Sequence, residues 1–239
     1  MSPETDGYFP KPRVELTGVP PEFEYQNLFK IDDKRPPWLR DRCGGGMLSD
    51  RDIMRLIYEG HIVIEPHPDW EKAINTNRID LRLGGIFTRF QPIDLPAVKV
   101  TEPVPKEAIL EFEREEGQEV TLHPGGLILA ITKERLVVPE YLVGRLEGKS
   151  SGARLGLMVE TAAWFDAGWD GRGAMELSNV GTIPLTLVVG ERICSFSFEQ
   201  LSSPAIKPYA KDENSQYRFQ MKPIVPQALA DIVLRRESG

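Results

Sequence analysis

The sequence is poor in the residues that most often bind metals or form disulfides, with two cysteines and three histidines in 239 residues. Cys43 and Cys194 stand far apart and neither belongs to a C-x-x-C pair, which predicts free thiols in a reducing compartment. His61, His67 and His123 are scattered, with neither H-x-E nor P-C-x-x-C around them, so the signature of zinc-dependent nucleobase deaminases is missing. The chain also lacks a G-x-S-x-G elbow and a Cys–His pair beside a loop, which argues against a covalent nucleophile. Positive charge is in deficit. A net charge of -7 and a pI near 5.2 speak against a nucleic-acid partner, whose phosphates demand a surplus of Lys and Arg. A small anionic ligand stays open, because only local charge matters to it. No apolar run approaches the roughly 18 residues of a membrane helix. The opening MSPETDGYFPKPR lacks the basic-then-apolar order of a secretory signal. The expected location is cytoplasmic, with no membrane partner.

What is present reads as one β-rich domain between two extensions. Residues 1–46 carry seven of the twenty prolines and end in Gly44-Gly45-Gly46, which breaks both helices and central strands. Phe9, Phe23, Tyr25, Phe29 and Trp38 make this segment too apolar for a solvated tail, so parts of it should dock on the domain. Ser49 with Asp52 resembles a capping box, and Leu48 with Ile53 a hydrophobic staple. Ile53, Leu56 and Ile57 then fall on one helical face, and Gly60 suits a left-handed cap. From Ile62 the period changes to two. Ile79, Leu81 and Leu83 alternate with Asp80 and Arg82, and Gly84-Gly85 predicts a hairpin turn into Ile86-Phe87. Further short strands are expected over 120–122, 127–132, 136–138, 142–146, 174–180, 185–188 and 193–198, a spacing that predicts a sandwich or barrel. The polar, proline-marked segment after Phe198 reads as a mobile tail with a short helix around 227–233. The division is 1–46 extension and linker, 47–220 domain, 221–239 tail.

Three stretches carry residues suited to chemistry. GKSSGAR sets Lys149, Ser150, Ser151 and Arg154 among glycines, where backbone N–H groups, hydroxyls and a guanidinium can meet an anion. It is not a P-loop, since Gly144 and Gly148 are one residue too close, and a plain surface turn is the alternative. FDAGWDGRG places Asp166 and Asp170 on either side of Gly168-Trp169, suited to a sugar hydroxyl or a hydrated metal, or simply to a turn. In GAMELSNV, alternation sets Ala174, Glu176 and Ser178 on one face and Met175 and Leu177 on the other. Glu176 is either a proton-transfer group or a solvated strand glutamate.

These pieces, in this order, resemble the dCTP deaminase family, which belongs to the trimeric dUTP diphosphatase fold. The resemblance runs through LSDRDIMRLIYEGHIVIEP, IDLRLGGIFTRF, LHPGGLILAITKERLVVPEYLVGRLEGKSSGARLGL, DAGWDGRGAMELSNVGTIPLTLVVGERICSFSFEQLSSPAIKPY and QYRFQ, covering roughly residues 47–220. It implies a mainly β subunit, a distorted β-barrel or jelly-roll of dUTP diphosphatase-like type with a short N-terminal helix packed on it. It also implies a homotrimer with sites between subunits, dCTP or dUTP as ligand, Mg2+ carried by the triphosphate, no zinc, and dTTP as an inhibitor. The implied reaction is zinc-independent hydrolysis of dCTP to dUTP and ammonia. The alternatives are a bifunctional enzyme continuing to dUMP, a dUTP diphosphatase proper, and a catalytically weakened nucleotide-binding homologue.

The same resemblance assigns roles. Glu176 matches the catalytic glutamate, with Ser150 and Arg154 beside the reacting water. Lys149 and Ser151 match the phosphate-binding turn, Asp166 the deoxyribose-side carboxylate, and Ala162 and Met175 further substrate contacts. Tyr209, Gln216 and Gln220 match a tail that closes over the triphosphate. A single carboxylate can act as base and then acid, and partial burial would lift its pKa toward neutrality. The sequence departs from the family pattern at Lys149 (usually Arg), Gly152 (usually larger) and Gln216 (usually Lys), and is one residue shorter between Arg154 and Asp166.

Overall fold

The computed structural model describes residues 46–94, 97–99, 102–160, 164–201, 204–205 and 207–225. The expected docking of the segment before Gly46, the helix expected at 227–233 and the side chain of Ala162 lie outside the described residues.

The chain enters through β1 (Gly46–Met47) and turns into helix α1 (Asp50–Tyr58). Ser49 is extended and its Oγ accepts the Asp52 N–H at 3.4 Å, while Asp50 and Asp52 set negative charge at the positive end of the helix. Gly60, at φ 77°, supplies the left-handed cap that the sequence predicts. Ile53, Met54 and Ile57 are buried, so one face of α1 closes over the β-structure.

Then follow β2 (Val63–Glu65), the short helix α2 (Trp70–Ala73), β3 (Ile74–Asn75), β4 (Arg78–Arg82), β5 (Ile86–Phe90), β6 (Ile109–Glu113), β7 (Glu119–Leu122), β8 (Leu127–Val137) and β9 (Leu142–Gly148). A single turn, α3 (Ser150–Ala153), leads to β10 (Leu157–Glu160), β11 (Asp170–Asn179), β12 (Leu185–Val188) and β13 (Arg192–Gln200). Every pairing is antiparallel. β13 runs along β9 and also pairs with β1 and β4, with β3 beyond β4. The second sheet has the order β10-β11-β8-β5-β6, with β2 also on β8, and β7 and β12 form a ribbon. The mainly β expectation holds, with the short helix packed on it.

The sheets meet over one core in which Phe87, Phe196 and Phe198 are fully buried, each contributing about 1.5–3 kcal/mol through area removed from water. An aromatic chain runs outward from it: Phe198 to Phe196 at 5.1 Å, Phe196 to Phe165 at 5.1 Å, Phe165 to Trp169 at 4.9 Å and Trp169 to Tyr209 at 5.2 Å between ring centres. Gly144 permits the approach, since a Cβ there would meet Phe196 Cζ at 2.1 Å.

Two local expectations are corrected. Gly84-Gly85 is not a hairpin turn: β4 pairs with β13 and β3, whereas β5 pairs with β6 and β8. The glycines let the chain cross between sheets, because a Cβ on Gly85 would meet the Arg114 carbonyl oxygen at 2.1 Å. The strands expected at 127–132 and 136–138 are one strand, β8, with a bulge. Three residues, Thr132 to Glu134, stand opposite Gly173. Thr132 Oγ1 accepts the Gly173 N–H at 2.8 Å and donates to the Glu134 carbonyl at 2.7 Å. The bulge swings the fully buried Glu134 carboxylate onto Arg82, which donates from its Nε at 2.5 Å and from its backbone N–H at 2.9 Å.

Candidate active site

Period-two alternation along β11 decides which side chains face outward. Asp170, Arg172, Ala174, Glu176 and Ser178 are partly exposed, while Met175 and Leu177 are wholly buried. Met175 therefore points its side chain into the core, on the face opposite Glu176, and Ala174 is its neighbour on the glutamate face. Burial is the largest cause raising the Glu176 carboxylate above its ordinary pKa, with the like charge of Glu160 adding to it. Glu160 is the residue directly opposite Glu176 in the β10–β11 register. Tyr217 lies within electrostatic reach of Glu176 on the other side, its phenol raised mainly by burial and then by that carboxylate.

Two backbone hydrogen bonds close the Ser150–Arg154 turn. Lys149 is the N-cap of α3 and its carbonyl accepts the Ala153 N–H at 3.0 Å; the Ser150 carbonyl accepts the Arg154 N–H at 3.1 Å. Gly156, at φ 93°, then folds back so closely that a Cβ would meet the Gly181 nitrogen at 2.4 Å. Gly152 suits its position, since a Cβ there already meets Leu157 Cδ2 at 3.2 Å. Ser150, Ser151 and Arg154 are exposed. Lys149 differs, because its ammonium turns inward and bonds the buried carboxylate of Asp80.

The sheet register separates this turn from Glu176 within one chain. Leu157, which follows the turn, is opposite Asn179, and Asn179 lies three residues along β11 from Glu176. At about 3.3 Å per residue that is roughly 10 Å of strand. Around the same end, Leu155, Met158, Val180 and Ile183 are exposed apolar side chains, 55%, 38%, 68% and 55% accessible.

The two aspartates expected in the loop before β11 have separate fates. Asp170 is taken by Arg135, whose Nε and Nη2 donate to its two oxygens at 2.7 and 2.8 Å. Asp166 is exposed, but partial desolvation nudges its carboxyl up from the ordinary value, and its backbone carbonyl accepts the Trp169 N–H at 2.9 Å. Beside it Tyr209 packs on Trp169, and Tyr209 Oη accepts the Tyr217 N–H at 3.0 Å.

The segment 207–225, expected to be mobile, docks on its own chain. Tyr209 and Ala210 donate to the carbonyls of Ala167 and Gly168, and the Gln220 carbonyl accepts the Arg172 N–H at 2.7 Å. Gln220 is buried, with Nε2 donating to the Lys222 carbonyl at 3.0 Å, whereas Gln216 is partly exposed in the turn before it. The structure thus brings Glu176, Asp166, Tyr209 and Tyr217 within electrostatic reach of one another in turn, Glu176 to Tyr217 to Tyr209 to Asp166, and holds Ser150, Ser151 and Arg154 apart. Tyr217, Glu160 and Asp80 escaped the sequence reading. Asp80 had a signal in retrospect, being an aspartate between two apolar strand residues. Among the described residues no group of three or more His, Cys, Asp or Glu side chains could hold a metal ion, and no helix is long and apolar enough to cross a membrane.

Comparison with known proteins points the same way. A family model described as dCTP deaminase-like matches residues 47–201. A protein of Dictyoglomus thermophilum named "dCTP deaminase, dUMP-forming" is 40% identical over 192 residues, which is 80% of this chain and 99% of that one. One of Rhodospirillum rubrum named "dCTP deaminase" is 42% identical over 191 residues, 77% of this chain and 97% of that one. Among solved structures, the crystal structure of 2'-deoxycytidine 5'-triphosphate deaminase from Agrobacterium tumefaciens superposes with a TM-score of 0.51 at 22% identity. That superposition covers 65% of this chain and spans about half, 48%, of the other, and it speaks for the fold alone.

Proposed function

Because the chain belongs to the dCTP deaminase-like family, we propose that it hydrolyses dCTP to dUTP and ammonia, with Glu176 as the proton-transfer group. The observation that carries this reading is the half-buried carboxylate of Glu176, raised in pKa by burial and paired with no cation among the described residues. A glutamate lifted in this way is a stronger base than an ordinary carboxylate, so it can take a proton from water and then return it.

In the proposed reaction Glu176 removes a proton from water as its oxygen attacks C4 of cytosine, and delivers it to N3. The carboxylate then takes the proton of the new C4 hydroxyl and passes it to the amino group, so that the C4–N bond breaks, ammonia leaves and the C4 carbonyl forms. Ser150 orients the water, and Arg154 holds it while opposing the rise in the Glu176 pKa. Asp166 takes the deoxyribose side, and Ser151, Tyr209 and Gln216 take the triphosphate, which arrives with Mg2+. No zinc enters. Gln220 contributes by holding the tail against β11 through its backbone carbonyl, which accepts the Arg172 N–H, while its side-chain NH2 donates within the tail. The contacts assigned to Ala162 stay part of the proposal.

Ser150 and Arg154 are remote from Glu176 along the strand register, so in this reading they act on the glutamate of a second copy in a homotrimer. The exposed apolar residues Leu155, Met158, Val180 and Ile183 suit burial against that copy. The expectations of a cytoplasmic location, of inhibition by dTTP and of a domain bounded at 47–220 belong to the same reading.

A second reading, continuation to dUMP, is favoured by a specific observation: relatives 40% and 39% identical are named dUMP-forming. One incubation separates the outcomes. With purified protein, dCTP and Mg2+, ammonia with dUTP supports deamination alone, and ammonia with dUMP and diphosphate supports the bifunctional enzyme. Unchanged dCTP that nevertheless binds would leave the catalytically weakened homologue and overturn both.

A further inference from the structure

Asp80 lies in β4 between Ile79 and Leu81, and all three are buried, Asp80 to 3% accessibility. A carboxylate is held in such a place only where its charge and lone pairs are met. Ser195 Oγ donates to Oδ1 at 2.8 Å, and Asn75 Nδ2 donates to the same oxygen at 3.2 Å. Lys149 bonds Oδ2, and the Arg192 guanidinium stands 3.5 Å from it. Asn75, Ser195 and Arg192 belong to β3 and β13, the frame of the first sheet. Lys149 alone comes from the turn that presents Ser150 and Arg154.

That turn needs an anchor. α3 is four residues long, its N-cap Lys149 makes no side-chain bond to the helix's own N–H groups, and a single helical turn has no stability of its own. An ammonium committed to a buried carboxylate is also an ammonium withheld from a phosphate. We propose that Asp80 is a positioning residue for the Ser150–Arg154 turn, acting through Lys149, and that Lys149 is an anchor rather than a phosphate ligand. This rests on the deaminase reading for its effect on rate, though the anchoring itself does not.

The test compares Asp80→Asn, Lys149→Met, Lys149→Arg and the double variant Asp80→Asn/Lys149→Met, by kcat and KM for dCTP and by amide hydrogen exchange. Each charge-removing single change should lower kcat at least about tenfold and move KM less than about threefold. The double variant should be no worse than the poorer single one, because both remove the same link. Lys149→Arg, which keeps the charge, should stay within about threefold of wild type. The amides of Ala153 and Arg154, which bond Lys149 and Ser150 carbonyls, should lose protection in both single variants.

A rise in KM of more than about tenfold in Lys149→Met, unshared by Asp80→Asn, would make Lys149 a phosphate ligand and overturn the proposal. Lower melting temperatures with kcat per folded enzyme unchanged would reduce Asp80 to a purely structural group, and also overturn it. If Asp80→Asn fails to fold, Lys149→Met carries the test, since the lysine side chain is 28% accessible. If wild type leaves dCTP unchanged the deaminase reading falls, while the exchange measurement still decides whether Asp80 holds the turn.

Discussion

Replacing Glu176 with glutamine keeps the shape of the side chain and removes its ability to carry a proton. A positioned acid–base group contributes about 10²- to 10⁴-fold in rate, or roughly 3–5 kcal/mol of barrier, so deamination by Glu176→Gln should fall by at least the lower figure. Stability should move the other way. Burial raises the carboxylate above its unfolded pKa, so the favourable contribution of the protonated form is complete below the unfolded value of about 4.3 and is lost as pH rises through the folded one. Glutamine stays neutral throughout and escapes the repulsion from Glu160. The variant should therefore match wild type near pH 4 and melt at the same temperature or slightly higher at neutral pH. The gain should stay below about 1 kcal/mol, because solvent screens the exposed part of the side chain. Ammonia release against pH, with thermal melts at both ends of the range, measures the two together. In wild type the acid limb of kcat/KM should lie above the ordinary carboxylate range. Activity within about tenfold of wild type, or a clear loss of stability at neutral pH, would refute the reasoning and make Glu176 a structural or solvated side chain.

The fold offers further checks. Glu134→Ala leaves Arg82 facing an empty, fully buried site and should cost about 3 kcal/mol in denaturant unfolding, near the lower end for broken buried pairs because Arg82 keeps some contact with water. Gly156→Ala forces a Cβ toward the Gly181 nitrogen in a left-handed conformation, and should cost about 1–3 kcal/mol and lower the melting temperature by several degrees. Burial pushes the Cys194 thiol well above its usual pKa, so it should resist alkylation in the native protein and react only on unfolding, as mass spectrometry can follow.

Local chemistry explains how much of this was legible beforehand. α1 was readable because Ser49, Ile53, Ile57 and Gly60 each state one part of a helix. β12 was readable because a half-buried strand alternates, and the body of β13 because Cys194, Phe196 and Phe198 alternate with small serines, although both of its faces are buried. The errors arose where long-range packing overrides a local sign. Gly84-Gly85 has the composition of a turn, yet its glycines serve close backbone passage between sheets. The start of β11 was missed because Gly171 and Gly173 weaken a strand signal, although the Gln220 carbonyl at one and the Leu146 and Thr132 methyl groups at the other require those spaces. In the site, alternation separated Glu176 from Met175 correctly, and the expectation for Met175 as a substrate contact came from position in a motif rather than from that alternation. Lys149 could not be read either way, since its partner Asp80 is 69 residues distant in the chain. The docking of 207–225 was hidden for the same reason, because a polar, proline-marked segment gives no local sign of the carbonyls it will meet.

Subunit mixing tests most directly whether two copies of the chain jointly build a deaminating site. Glu176→Gln and Arg154→Ala should each be nearly inactive on dCTP as homotrimers. When the two are unfolded, mixed in equal amounts and reassembled at random, about a quarter of the sites unite an intact glutamate with an intact Arg154 turn. Ammonia release should then recover to about a quarter of the wild-type rate. No recovery above the two parents, with mixed trimers shown to form, would place Glu176 and Arg154 in the same copy or outside the chemistry, and would contradict the account.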